Sequence, residues 1–204
     1  CAVHYNFSLN DECWQALAEF EGQQDSSDFR SRRYFDLMRN FRRLSWLPTY
    51  LFGSSPAVPA DFASGKSHDL QTLSRDTLYL PDATSLRNGG LGYQSNIQSQ
   101  LIDICYNGLE NYVTGLASAI RQEYAPYAEL TAGDVPQQIN ACVLQSEAEF
   151  YTTVRAKRVP PPGGNQLQAL LEEGVQYIEV RLLDVNPYEP LGIDLATVHF
   201  MDVF

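Results

Sequence analysis

Polar and apolar residues alternate at the start of the chain. In CAVHYNFSL, Val3, Tyr5 and Phe7 fall on one side and His4, Asn6 and Ser8 on the other, the period of a strand with one polar face. Between Ser27 and about Phe52 the spacing lengthens: Phe29, Arg33, Leu37, Phe41 and Leu44 recur near helical intervals, Ser27 or Asp28 can cap the helix, and Pro48 bends or ends its first segment. Residues 53–76 mix Gly, Ser and Pro without a sustained period and are expected as a surface loop or lid. A short strand broken by Pro81 follows, then Arg87 and a glycine-bearing turn from Asn88 to Gly92. A second helix is predicted over Asn107–Tyr124, with Leu109, Tyr112, Val113, Leu116 and Ile120 as its apolar stripe. Ile139–Val159 reads mostly as interrupted strand, VPPPGGN (159–165) as a loop, and QLQALLEEG as a short helix capped by Asn165 and closed by Gly174. In the final strand, within GVQYIEVRLLDVNP, Tyr177, Glu179, Arg181 and Leu183 share one face and Ile178, Val180 and Leu182 the other. Strands separated by helices and long connections favour an α+β fold, a largely antiparallel sheet with flanking helices, over a doubly wound parallel one.

Composition narrows the function classes. The chain has 204 residues, 44% of them hydrophobic, enough to bury the core of one domain. A net charge of −11 argues against nucleic acid or an anionic membrane as partner. No apolar run approaches the roughly 18 residues of a membrane span, and no basic stretch followed by an apolar run opens these residues, so a soluble, non-secreted protein is expected. Cys1, Cys13, Cys105 and Cys142 lie far apart with no CxxC spacing, which fits reduced thiols in a cytoplasmic protein better than zinc or a disulfide framework. The chain begins without Met in an alternating run and stops on the apolar HFMDVF. Residues 1–204 are therefore expected to be part of a single domain of a longer protein, whose remaining parts complete its core or its site.

The polar face of the last strand raises a chemical question, because an acid and a base stand one pleat apart on a strand otherwise built for burial. Glu179 and Arg181 at i and i+2 are about 7 Å apart by strand rise, too far to pair unless the side chains lean together. They are then available to a third party: a hard divalent cation beside the carboxylate and a phosphate beside the guanidinium. Ion pairs to neighbouring strands explain them equally well. His4 and Asn6 repeat the spacing on the first strand. A His–Glu pair alone cannot fill the roughly six positions around Mg²⁺, so further acids must come from elsewhere. Arg30, Arg32, Arg33, Arg39, Arg42 and Arg43 read as a solvated helix face, with Asp28 and Asp36 interleaved for pairing. RAKR (155–158), beside a proline-glycine loop, suits either a surface turn or contact with a nucleotide. The chain contains neither a P-loop nor a GxGxxG motif.

Taken in order, VHYNFSL, YLPDATSLR, LGYQS, VLQSEAEFY, RAKR and YIEVRLLDVNPYEPLGID resemble the proteobacterial type of glutamate–cysteine ligase, or γ-glutamylcysteine synthetase, across essentially the whole chain. The resemblance implies a curved, glutamine-synthetase-like active-site sheet. It also implies ATP-dependent joining of the γ-carboxylate of glutamate to the amine of cysteine through γ-glutamyl phosphate, the first step of glutathione synthesis. By position it implies that His4 and Glu179 are ligands of Mg²⁺ or Mn²⁺, that Asn6 and Arg181 contact nucleotide or phosphate, and that Arg87 contacts substrate and the transferring phosphoryl group. Tyr93 and Tyr151 would line the cysteine pocket. Small-molecule substrates and the remaining parts of the same parent chain are the partners it implies. The acidic residues that supply most of the family's metal ligands precede the VHYN strand and are absent here, so the 204 residues alone are expected to be inactive. Another carboxylate–amine ligase of the same superfamily, or an inactive binding fragment, are the alternatives.

Overall fold

The computed structural model describes residues 3–131, 135 and 137–204. In chain order its elements are β1 (Tyr5–Phe7), α1 (Asp11–Phe20), α2 (Ser27–Leu44), α3 (Trp46–Phe52), β2 (Ala57–Pro59), α4 (Ala60–Ala63), β3 (Gln71–Ser74) and β4 (Thr77–Tyr79), then α5 (Asn96–Leu101), α6 (Leu109–Arg121), α7 (Ala125–Thr131), β5 (Val154–Lys157), α8 (Gln166–Glu173), β6 (Tyr177–Val180) and α9 (Leu195–Val203). Two antiparallel three-stranded sheets result, β1-β6-β5 and β2-β4-β3. The fold is α+β, as the pattern predicts.

The first sheet carries the core. Ile178, Val180, Val154 and Ala156 on its apolar face are almost fully buried against Phe29, Tyr34, Phe35 and Met38 of α2, with Leu116 of α6 and Leu170 of α8 in the same cluster. Each large apolar side chain so buried contributes about 1.5–3 kcal/mol relative to exposure. The opposite face stays polar because period two puts Asn6, Glu179 and Arg155 in one cross-strand row, Asn6 opposite Glu179 and Glu179 opposite Arg155.

Several expectations need correction. The helix after Ser27 is two helices, broken at Ser45; Ser26 caps it by accepting from the Phe29 N–H. Pro48 lies in the first turn of α3, where its missing N–H breaks no bond. The buried face of α2 is Phe29, Tyr34, Phe35, Met38 and Phe41, whereas Leu44 is exposed. The 53–76 stretch contains β2, α4 and β3 and so is more than a loop. Of the strand expected over Ile139–Val159 only Val154–Lys157 forms; the rest is turns and a short 3-10 segment, Glu147–Glu149. Helices α1, α5, α7 and α9 were not anticipated.

Among the described residues, four of the six arginines of α2 pair with acids: Arg32 with Asp28 at 3.5 Å, Arg33 with Asp36 at 2.8 Å, Arg39 with Asp36, and Arg30 with both Asp11 and Asp25. Cys13, Cys105 and Cys142 are free thiols, and Cys1 lies outside the described residues. Among the described residues no helix is long and apolar enough to cross a membrane.

Candidate active site

The polar face of the first sheet gathers the charged side chains that the sequence marks. Arg181 and Glu179 lean together, Nη1 to Oε2 3.7 Å, closing the gap that strand rise alone leaves. Glu179 also has Arg155 Nη1 at 3.9 Å and His4 Nδ1 at 3.4 Å. His4 reaches it because the β1–β6 pairing runs on past β1, with the Val3 N–H donating to Leu183 O. Asn6 sits opposite Glu179 in register, exposed.

Arg87 arrives from outside the sheet. Its segment is anchored by the Leu86 N–H donating to Ser55 O, and the Ser54 N–H donates in turn to Asp184 Oδ2 at the end of the YIEVRLLD run. The Arg87 guanidinium donates from Nε and Nη2 to Arg181 O at 3.0 and 2.8 Å. The turn after Arg87 requires glycine at 92, since a Cβ there would run into the Leu86 and Arg87 carbonyls. That turn sets Tyr93 beneath two guanidinium groups, Arg87 at 5.0 Å and Arg181 at 4.9 Å from its ring centre, within cation–π range. The Tyr151 ring packs on Tyr93 with centroids 4.6 Å apart. Every site residue expected from the sequence thus lies in one connected cluster, with Asn6 at its edge.

Arg155 was missed in this role. Far from lying in a surface turn, it is 3% exposed on β5, and its Nη2 donates to the Tyr93 hydroxyl at 3.1 Å and to Phe150 O. The signal was present, because Val154 and Ala156 alternate with Arg155 and Lys157 as in the other two strands.

The electrostatics are those of a partly dried, cation-rich cluster. Burial holds Arg155 and Arg87 below the ordinary arginine range, and Lys157 below that of lysine. Burial, and after it the charge of Arg181, lowers the His4 pKa against the opposing pull of Glu179. Burial raises the Tyr93 pKa although the nearby guanidinium groups oppose the shift. Three buried polar atoms at the centre, Glu179 Oε2, Arg155 Nε and Arg181 Nε, have no hydrogen-bond partner. A buried carboxylate oxygen without a donor suits a cation, and idle guanidinium N–H groups suit an anion. Glu179 and His4 supply two donors, an edge of a divalent-cation site rather than a whole one. Among the described residues no three His, Cys, Asp or Glu side chains converge on one point.

The glutamate-cysteine ligase family profile matches residues 1–204. The chain belongs to that family. Glutamate–cysteine ligases of Pseudomonas fluorescens and Azotobacter vinelandii are 49% and 50% identical over 99% of this chain. The crystal structure of glutamate–cysteine ligase from Francisella tularensis in complex with AMP superposes on 99% of the chain with a TM-score of 0.87 at 34% identity. A bifunctional glutathione synthetase from Pasteurella multocida superposes with a TM-score of 0.61 at 25% identity. The chain spans 38–39% of the length of these two curated relatives and 40% of the Francisella chain.

Proposed function

We propose that the Glu179–Arg181–Arg87 cluster is part of the active site of an ATP-dependent ligase, and that residues 1–204 are part of its catalytic domain. The ligase joins the γ-carboxylate of glutamate to the amine of cysteine. The observation that carries this reading is the convergence, on one polar sheet face, of a carboxylate oxygen that accepts no hydrogen bond with guanidinium groups from β5, from Arg181 just past the end of β6, and from the turn before Tyr93. The glutamate–cysteine ligases among its relatives and the AMP bound in the Francisella crystal structure support it.

A carboxylate is a poor electrophile, so the γ-carboxylate oxygen first attacks the terminal phosphorus of ATP, releasing ADP and forming an acyl phosphate. The amine then attacks the acyl carbon and phosphate leaves. Catalysis of the first step is chiefly positioning and charge neutralisation. Arg181 and Arg87, held at fixed angles by Tyr93 and by the Arg181 carbonyl, present N–H donors to the transferring phosphoryl oxygens. Glu179 and His4 would hold Mg²⁺ or Mn²⁺, which would supply charge neutralisation at the phosphates when bound. Asn6 contacts nucleotide or phosphate from the exposed edge of the row. Tyr93 and Tyr151 form the wall against which cysteine is placed.

In the full-length protein, Arg181→Ala and Glu179→Gln are each expected to lower kcat by about 10²–10³ with the far-UV circular dichroism spectrum retained. Normal turnover of either variant at saturating Mg–ATP would overturn the assignment.

A further inference from the structure

The Tyr151 ring faces the site, but its backbone belongs to an irregular stretch between Glu149 and β5. It is 39% exposed, which leaves it open to a ligand, and its position therefore depends on what fixes its backbone. That support comes from Gln98, a side chain on α5 with only 6% exposure. The Gln98 Oε1 accepts from the Tyr151 N–H at 2.9 Å, and its Nε2 donates to Glu149 O at 3.0 Å. One amide thus bridges the backbone on both sides of Phe150, whose own carbonyl accepts from Arg155. Gln98 is placed by its helix start, where Ser95 accepts from the Gln98 N–H. The N-cap of α5, Ser95, lies two residues beyond Tyr93 in the chain. Segment 93–98 therefore holds both aromatic walls, Tyr93 directly and Tyr151 through Gln98. A cavity of about 270 Å³ that both Gln98 and Tyr151 line adjoins this clamp.

We infer that Gln98 is a positioning residue for the acceptor amine, acting through Tyr151; the inference rests on the reading of Tyr93 and Tyr151 as the acceptor wall. A part-buried backbone N–H and C=O that lose their partners seek new ones, so without the amide the 149–151 backbone shifts and the ring with it. Nucleotide contacts, which run through Arg181, Arg87 and Glu179, are untouched. A role in folding alone would lower the active fraction, and so the apparent kcat, without raising the cysteine KM selectively.

The test is steady-state kinetics of the full-length protein with Gln98→Met, which keeps shape and removes both hydrogen bonds, and Gln98→Glu, which keeps an acceptor for the Tyr151 N–H. Tyr151→Ala is the reference. In Gln98→Met the KM for cysteine should rise about tenfold while the KM for ATP moves less than about twofold. Gln98→Glu should restore part of the loss, and it carries the test if Gln98→Met does not fold. A cysteine KM that stays put, or one that rises in parallel with the ATP KM, would overturn the inference while a raised cysteine KM in Tyr151→Ala leaves the acceptor wall standing. If Tyr151→Ala itself leaves the cysteine KM unchanged, the acceptor reading falls and the inference falls with it.

Discussion

Replacing Glu179 by glutamine keeps the shape of the side chain and removes its charge, leaving buried guanidinium groups without their carboxylate. At an effective dielectric of about 20, unit charges about 4 Å apart attract by roughly 4 kcal/mol. Glu179 has two such partners, Arg181 at 3.7 Å and Arg155 at 3.9 Å. Against this gross attraction stands a desolvation cost of several kcal/mol for each buried ion, the same cost that depresses the Arg155 pKa. Removing the anion forfeits the attraction and leaves the cations' desolvation uncompensated, so Glu179→Gln should lower stability by about 3 kcal/mol. Adding Arg155→Met removes one stranded cation and its unpartnered Nε. The double variant should therefore lose less than the sum of the singles, by about 1–3 kcal/mol. Chemical denaturation of wild type, both singles and the double, in the full-length protein at fixed ionic strength, measures this coupling. Additivity within about 0.5 kcal/mol would mean that the two groups do not interact and would refute the reasoning.

Two further predictions concern the frame around the site. Gly174 has φ +80°, and a Cβ there would meet the hydroxyls of Ser27 and Ser31, the latter of which accepts from the Val175 N–H where the chain enters β6. Gly163 has φ +75° with open space around it. Thermal denaturation should thus show Gly174→Ala more destabilised than Gly163→Ala, whose loss is the backbone strain of about 1–3 kcal/mol alone; equal losses would show that the serines yield freely. Arg30 grips both oxygens of Asp25, at 2.7 and 2.5 Å, and holds its carboxyl below the ordinary value. A carboxylate with a lowered folded-state pKa contributes stability above its unfolded value of about 3.9, and loses it as pH falls through the folded value. Asp25→Asn should flatten the acid limb of the stability–pH curve below about pH 5 and leave the neutral region unchanged in slope, and an unaltered acid limb would contradict this.

The strands that build the site were legible because period two is a local property: Val3 to Phe7 and Tyr177 to Leu182 alternate in burial as their side chains alternate in polarity. The amphipathic helices at α2 and α6, and α8 between Asn165 and Gly174, were legible for the same reason. Across 139–153 the chain is rich in apolar and β-branched residues, yet side chains hold its backbone instead of a ladder. Gln98 and Gln145 occupy the Tyr151 and Ile139 N–H groups. No periodic pattern announces such satisfaction by side chains. Arg155 was hidden differently, because its neighbours Lys157 and Arg158 and the prolines beyond suggest a surface turn, and only pairing with β6 shows it to be buried. The approach of Arg87 to Arg181, 94 residues apart, depends on Ser54, Ser55 and Asp184, none of which carries a sequence signal of that role.

The most direct test of the proposed function is ADP release by the full-length protein with Mg–ATP and glutamate, as cysteine and other small amines are added in turn. The account predicts release that depends on cysteine and yields the γ-glutamyl amide in equal amount. Absence of any amine-dependent release, or release driven as well by an unrelated amine as by cysteine, would contradict it and return Glu179, Arg155 and Arg181 to a purely structural ion-pair network.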